Sequence, residues 1–164
     1  MTMKRWEASR IEGYTDGGCH GNPGPGGWGW ALYEEGQLIH HGLGPARHTT
    51  NNRMEMQAIL ELLTFCVHND IDVDEVYSDS NLVIRGINEW MNGWKARGWK
   101  KAGNKELLNK EIWVAIDKEL ATYAKNFGGI PTFTWVKGHA TNPGNIFVDS
   151  LTQVAIAEIE LEKF

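Results

Sequence analysis

Tyr14-Thr15-Asp16-Gly17-Gly18-Cys19 runs through His20 into Gly21-Asn22-Pro23-Gly24-Pro25-Gly26-Gly27, and the fold reading turns on this stretch. Residues 10–15 carry Ile and Tyr and read as a strand, with Asp16-Gly17-Gly18 as its exit. Residues 17–27 read as a glycine- and proline-rich loop. Residues 28–33 then read as a strand, Glu35-Gly36 as a tight turn and residues 37–42 as the returning strand. The chain thus opens with three antiparallel strands. Beyond them the apolar period changes from two to 3.6. Residues 52–67 place Ile59, Leu62, Leu63, Cys66 and Val67 on one helical face, with Asn52 as N-cap and Glu55 three residues on. Residues 74–78 read as a short strand and 80–91 as a helix. Residues 105–126 read as a long helix, 132–137 as a strand and 145–161 as a last helix. Strands joined through helices pair in parallel. The expected class is therefore α/β: a five-stranded mixed sheet, three antiparallel strands then two parallel, flanked by helices. Residues 1–164 show no repeat and no linker, and read as a single domain.

Composition excludes several classes. The chain has 164 residues, 41% hydrophobic and 23% charged, which is globular and not disordered. Cys19 and Cys66 lie far apart and form no CxxC, against a disulfide scaffold or a cysteine zinc module. No apolar run approaches the ~18 residues of a membrane helix, and residues 1–14 hold no signal-peptide core. A cytoplasmic, monomeric protein of a reducing compartment is expected. The net charge of −5 argues against a polyanionic partner, but it is unevenly spread. Between Trp90 and Lys110 six cations, Lys95, Arg97, Lys100, Lys101, Lys105 and Lys110, face one acid, Glu106. Trp90, Trp94 and Trp99, three of the eight tryptophans, are interleaved with them. Cations meet phosphates, and aromatic faces stack on sugars or bases; the plainer reading is a solvated loop whose tryptophans pack on helices.

Gly24-Pro25-Gly26-Gly27-Trp28-Gly29 matches G-x-G-x-x-G, yet a strand rather than a helix follows, so a dinucleotide site is rejected. Close approach of glycine backbone to a phosphate chain fits better. The carboxylates are more informative. Asp16 and Asp79 each end a strand, and parallel neighbours would deliver both to one sheet edge, where α/β sheets bind ligands. Each alone is equally a turn residue or an N-cap. Glu55 projects from a buried helix face, where a carboxylate needs a partner or a metal; a first-turn cap is the alternative. Asp149 alone reads as a dipole-compensating acid near the start of the last helix, and His139 as a loop histidine suited to proton transfer. Together, four carboxylates converging on one edge need a cation. Oxygen ligation favours Mg²⁺, with Mn²⁺ substituting, and a pair of such ions suits phosphodiester hydrolysis.

With these pieces in order, the chain resembles the type-1 ribonuclease H family from residue 11 to 157. The resemblance rests on Tyr14 to Gly27, Thr-Thr-Asn-Asn-Arg-Met-Glu (49–55), Ser-Asp-Ser (78–80), Trp-Lys-Ala-Arg-Gly-Trp-Lys (94–100), Trp-Val-Lys-Gly-His-Ala (135–140), Asn145 and Asp149. It implies the ribonuclease H-like fold with a basic helix-loop handle at about 90–105. It also implies hydrolysis of the RNA strand of RNA/DNA hybrids, leaving 5′-phosphate and 3′-hydroxyl ends. Asp16, Glu55, Asp79 and Asp149 become the metal-binding carboxylates, and His139 assists proton transfer or product release. Cys19, Asn22, Asn51, Asn52 and Asn81 become hybrid contacts, with Thr50 and Arg53 near the phosphates. Trp90, Trp94, Lys95, Arg97, Trp99, Lys100 and Lys101 form the handle, Trp94 beside the DNA strand. Phosphate contacts carry little sequence information, so cleavage should be largely sequence-independent. Asn81 and Ile146-Phe147-Val148 depart from the family pattern. The competing expectations are a binding module of the same fold without turnover, and a DNA-directed nuclease of the wider superfamily.

Overall fold

The computed structural model describes residues 9–138 and 142–162. The chain runs β1 (Ile11–Cys19), β2 (Gly24–Glu34), β3 (Gln37–Thr49), α1 (Asn51–His68), β4 (Glu75–Ser78) and α2 (Asn81–Arg85). A π-helical turn (Gly86–Trp90) leads into α3 (Met91–Ala96). A small hairpin of β5 (Lys100–Lys101) and β6 (Lys105–Glu106) follows, then α4 (Lys110–Phe127), β7 (Thr132–Trp135) and α5 (Pro143–Leu161). The main sheet has the order β3-β2-β1-β4-β7. β1, β2 and β3 pair antiparallel, while β4 joins β1 and β7 joins β4 in parallel. This is the mixed sheet expected from the pattern.

Two cores hold the layers. On one face Met56, Ile59, Leu62, Leu63 and Cys66 of α1 pack with Leu32 and Val76 of the sheet and Ile112, Trp113 and Ile116 of α4. Each large apolar side chain buried there contributes about 1.5–3 kcal/mol. On the other face Tyr14 and Ala31 pack with Val148 and Leu151 of α5. The Tyr123 hydroxyl accepts from the Val73 N–H (2.6 Å) and donates to Asp72 (2.8 Å), tying α4 to the segment entering β4.

The expected glycine loop is largely strand. Gly17, Gly18 and Cys19 extend β1 and pair with Trp28, Gly27 and Gly26, so only residues 20–23 turn. Glycine has low strand propensity, and what holds the strands here is close approach of a helix on each face. A Cβ on Gly17 would lie 2.3 Å from the Met54 carbonyl carbon, and one on Gly27 would lie 2.6 Å from Ala155 Cβ.

Helix starts also shift. α1 is capped by Thr50, whose hydroxyl accepts from the Arg53 N–H at 3.2 Å, and not by Asn52. Glu55 is thereby two residues further in and free of the capping role. α4 begins at Lys110, because Lys105–Glu106 pairs with Lys100–Lys101 instead. α5 begins at Pro143 on the Asn142 cap, which places Asp149 in its second turn and not its first. Ile146, Phe147 and Val148 seat this helix: Val148 is fully buried and Phe147 sits edge-on to His41 of β3 at 5.6 Å.

Candidate functional site

The last residue pair of the parallel β1–β4 ladder is Thr15↔Ser78. Asp16 and Asp79 follow it on adjacent strands, so both carboxylates emerge side by side at one edge. Ser80, not Asp79, caps α2, accepting from the Val83 N–H at 3.3 Å. Glu55 reaches the same place because Gly17 lets the first turns of α1 rest on β1. Oxygens of Asp16, Glu55 and Asp79 lie within 4.8 Å of one another.

Such proximity is electrostatically unfavourable, and the titration behaviour reflects it. Burial, then the charges of Asp79 and Asp149, push the Asp16 carboxyl up from 3.8 to about 7, against the Thr152 hydroxyl and the Gly17 N–H, which favour the ionised form. Burial, then Asp16 and Asp79, hold Glu55 well above the ordinary carboxylate range. Glu55 Oε2 is buried and makes no hydrogen bond among the described residues. A buried oxygen without a donor, beside two further carboxylates, is a hard-cation donor set with an open coordination direction. Asp149 is exposed on α5; its oxygens lie outside the three-carboxylate cluster, though its charge reaches Asp16. His139 lies outside the described residues.

Beside the acids, the β1–β2 turn and the start of α1 are cross-linked. Asn51 Oδ1 accepts from the Cys19 N–H (2.9 Å), and Asn22 Oδ1 accepts from the Asn51 N–H (3.0 Å) and the Cys19 thiol (3.5 Å). Three expected substrate residues thus form one exposed polar patch. Thr50 is occupied as the helix cap. Arg53 donates to Asn109 (3.1 Å) and pairs with Glu111 (2.5 Å), bracing α1 against α4. Asn81 is exposed at the start of α2.

The basic segment departs from an exposed platform. Trp94 is only 8% exposed and packs on Trp113 at 4.9 Å. Arg85 covers one face of Trp90 at 4.8 Å. Lys95 pairs with Asp117 (3.0 Å), and Arg97 donates to the Lys100 carbonyl (3.2 Å). Trp99 is half-buried, at a φ of 66°. Lys100 and Lys101 stand on β5, and Lys101 faces Lys105 across the hairpin. Between the handle and the starts of α1 and α2 lies a cavity of about 510 Å³, lined by Asn52, Trp90, Trp94, Arg97, Lys101 and Asn109 among others. Asn109 escapes the sequence reading because residues 105–109 read as helix. Its position just before the Lys110-Glu111 start of α4 is the signal that would have found it. Trp135, whose indole N–H donates to the Asp79 carbonyl at 3.1 Å, falls within the 135–140 motif, but nothing local to it signals that bond.

Known proteins resemble this arrangement. The RNase H family model matches residues 8–157. Ribonuclease H of Paramagnetospirillum magneticum is 44% identical over 151 residues, covering 91% of each chain. Ribonuclease H of Pseudomonas entomophila is 40% identical over 93% of this chain and 97% of its own. Among solved structures, LC11-RNase H1 in complex with RNA/DNA hybrid superposes with a TM-score of 0.68 at 28% identity, covering 91% of this chain and 98% of that one. LC9-RNase H1, a type 1 RNase H with the type 2 active-site motif, gives 0.77 at 25% identity, over 92% and 74%.

Proposed function

This chain belongs to the RNase H family, and from that premise we propose that it cleaves the RNA strand of RNA/DNA hybrids internally at the Asp16–Glu55–Asp79 edge. The observation that carries the proposal is the buried, donor-free Glu55 Oε2 beside two more carboxylates. Asp16, Glu55 and Asp79 would hold divalent cations, Mg²⁺ with Mn²⁺ as substitute, and Asp149 would complete the set from α5. Bound there as a pair, the ions supply Lewis acidity to the attacking and leaving oxygens, consistent with 5′-phosphate and 3′-hydroxyl products.

The chain's own groups supply the rest. Cys19, Asn22 and Asn51 present short donors and acceptors beside the acids, suited to a 2′-hydroxyl in a shallow minor groove. Asn52 and Asn81 extend that surface, with Thr50 and Arg53 setting the helix that carries Asn51 and Asn52. Lys100 and Lys101, with Arg97 at the cavity rim, meet the phosphates of the second strand, and Trp90, Trp94 and Trp99 wall its path. Lys95 contributes less, since Asp117 already neutralises it. His139 would move a proton between solvent and the reacting phosphate. The hybrid is the partner, bound by a monomer of a reducing, cytoplasmic compartment; among the described residues no helix is long and apolar enough to cross a membrane.

The test is cleavage of an end-labelled RNA/DNA hybrid with Mg²⁺, beside matched RNA/RNA and DNA/DNA duplexes and an EDTA control. Cutting of the hybrid's RNA strand alone, abolished by EDTA, is the expected result. Cutting of DNA/DNA, or no cutting by a folded sample with either ion, overturns it.

A further inference from the structure

Asp79 is a single residue between two regular elements. Ser78 before it closes the β4–β7 ladder opposite Trp135, and Ser80 after it caps α2. The segment leaving β7 lies against this junction. The Val136 N–H donates to the Ser78 carbonyl (2.9 Å), the Trp135 indole N–H donates to the Asp79 carbonyl (3.1 Å), and a Cβ on Gly138 would stand 3.3 Å from Asp79 Oδ2. Trp135 is 48% exposed, although large apolar residues are ordinarily covered. Burial is thus a poor reason for a tryptophan here. Its N–H is the better one, because a bond to the carbonyl of the carboxylate-bearing residue fixes the direction in which that side chain leaves the sheet.

We propose that Trp135 is a positioning residue that holds Asp79 in register with Asp16 and Glu55, and so sets the divalent-cation affinity of the cluster. The inference rests on the proposed cation site. Ligand atoms must converge to within tenths of an ångström for a cation demanding near-octahedral geometry. Losing the indole hydrogen bond to the Asp79 backbone should therefore register chiefly in metal binding.

The experiment compares wild type with Trp135→Phe and with 3-benzothienylalanine placed at position 135, an indole isostere with sulfur in place of N–H. Three quantities are read: the Mg²⁺ concentration that gives half of the metal-induced rise in Tm, the metal-free Tm, and the Kd for a fluorescent RNA/DNA hybrid in EDTA. Both variants should need about five-fold more Mg²⁺, the size expected for one lost hydrogen bond. Metal-free Tm and hybrid Kd should change little. An unchanged Mg²⁺ midpoint in the isostere variant overturns the proposal. So does a weakened hybrid Kd with the midpoint unchanged, which would make the exposed indole a substrate contact. If wild type itself shows no Mg²⁺-dependent rise in Tm, the cation site fails instead, and the two failures are told apart. The isostere keeps the test sound should the Phe variant fold poorly.

Discussion

At Asp16 the folded protein favours a proton, since burial and the neighbouring acids lift its carboxyl from 3.8 to about 7. Between those values the native state binds more protons than the unfolded one, so metal-free stability falls as pH rises through that window. Asp16→Asn removes the charge while keeping the shape. In EDTA at pH 7.5 it should be more stable than wild type, by about 1–3 kcal/mol and a few degrees in Tm. Its advantage should fade toward pH 4, and denaturant melts across pH measure this directly. The same variant should lose cleavage while keeping its affinity for the hybrid in EDTA, because it removes a cation ligand and no phosphate contact. The raised carboxyls also compete with metal. Mg²⁺ binding should tighten with pH up to and through about 7 and release protons, and calorimetry in buffers of different ionisation enthalpy would detect them.

Between elements, the closest constraint is the seat of α1 on β1. A methyl at Gly17 meets the Met54 carbonyl carbon at 2.3 Å and the Glu55 nitrogen at 2.5 Å. These are backbone atoms of a helix, which cannot swing aside as a side chain can. Gly17→Ala should push the start of α1 off the sheet, at a cost of about 1–3 kcal/mol, and carry Glu55 away from Asp16. A lower Tm together with a weaker Mg²⁺ response is expected. Gly129→Ala, where an added Cβ meets nothing within 4 Å, serves as the control and should leave both unchanged. The bracing of α1 by Arg53, Asn109 and Glu111 acts at the same level, orienting the turn that bears Asn51 and Asn52.

For the whole molecule, the distribution of charge matters more than its sum. The body is acidic, yet the handle carries Lys101 directly across from Lys105, and like charges opposite each other on a hairpin are unfavourable. A polyanion relieves that repulsion. Replacing Lys101 and Lys105 together with Ala should raise KM for the hybrid and shallow its dependence on log salt by about 1–2 units, with kcat nearly unchanged. Lys95→Ala should change the slope less, since Asp117 holds that ammonium at 3.0 Å. KM measured across a salt series for the three proteins decides between a substrate-facing hairpin and a solvated one.

Residue order and period were enough to read the order of the main elements, the mixed sheet and, given neighbouring strands, a meeting of carboxylates that the structure shows for Asp16, Glu55 and Asp79. The direction of β4 follows from α1, which joins it to β3, itself parallel to β1; that β4 lies beside β1, so that Asp16 and Asp79 share an edge, is decided by the sheet order. Other features were settled by tertiary contact alone. Residues 17–19 and 24–27 lack the side chains that announce a strand, and are strand because α1 presses on Gly17 and α5 on Gly27. Trp94 looks like a surface aromatic among lysines, and is drawn inward by Trp113, nineteen positions along the chain. The bond from Trp135 to Asp79 joins residues 56 apart. Local sequence encodes period, caps and turns, which are short-range properties of the backbone. Which surfaces meet, and therefore which polar atoms end up buried, aimed or covered, is decided only when the layers close.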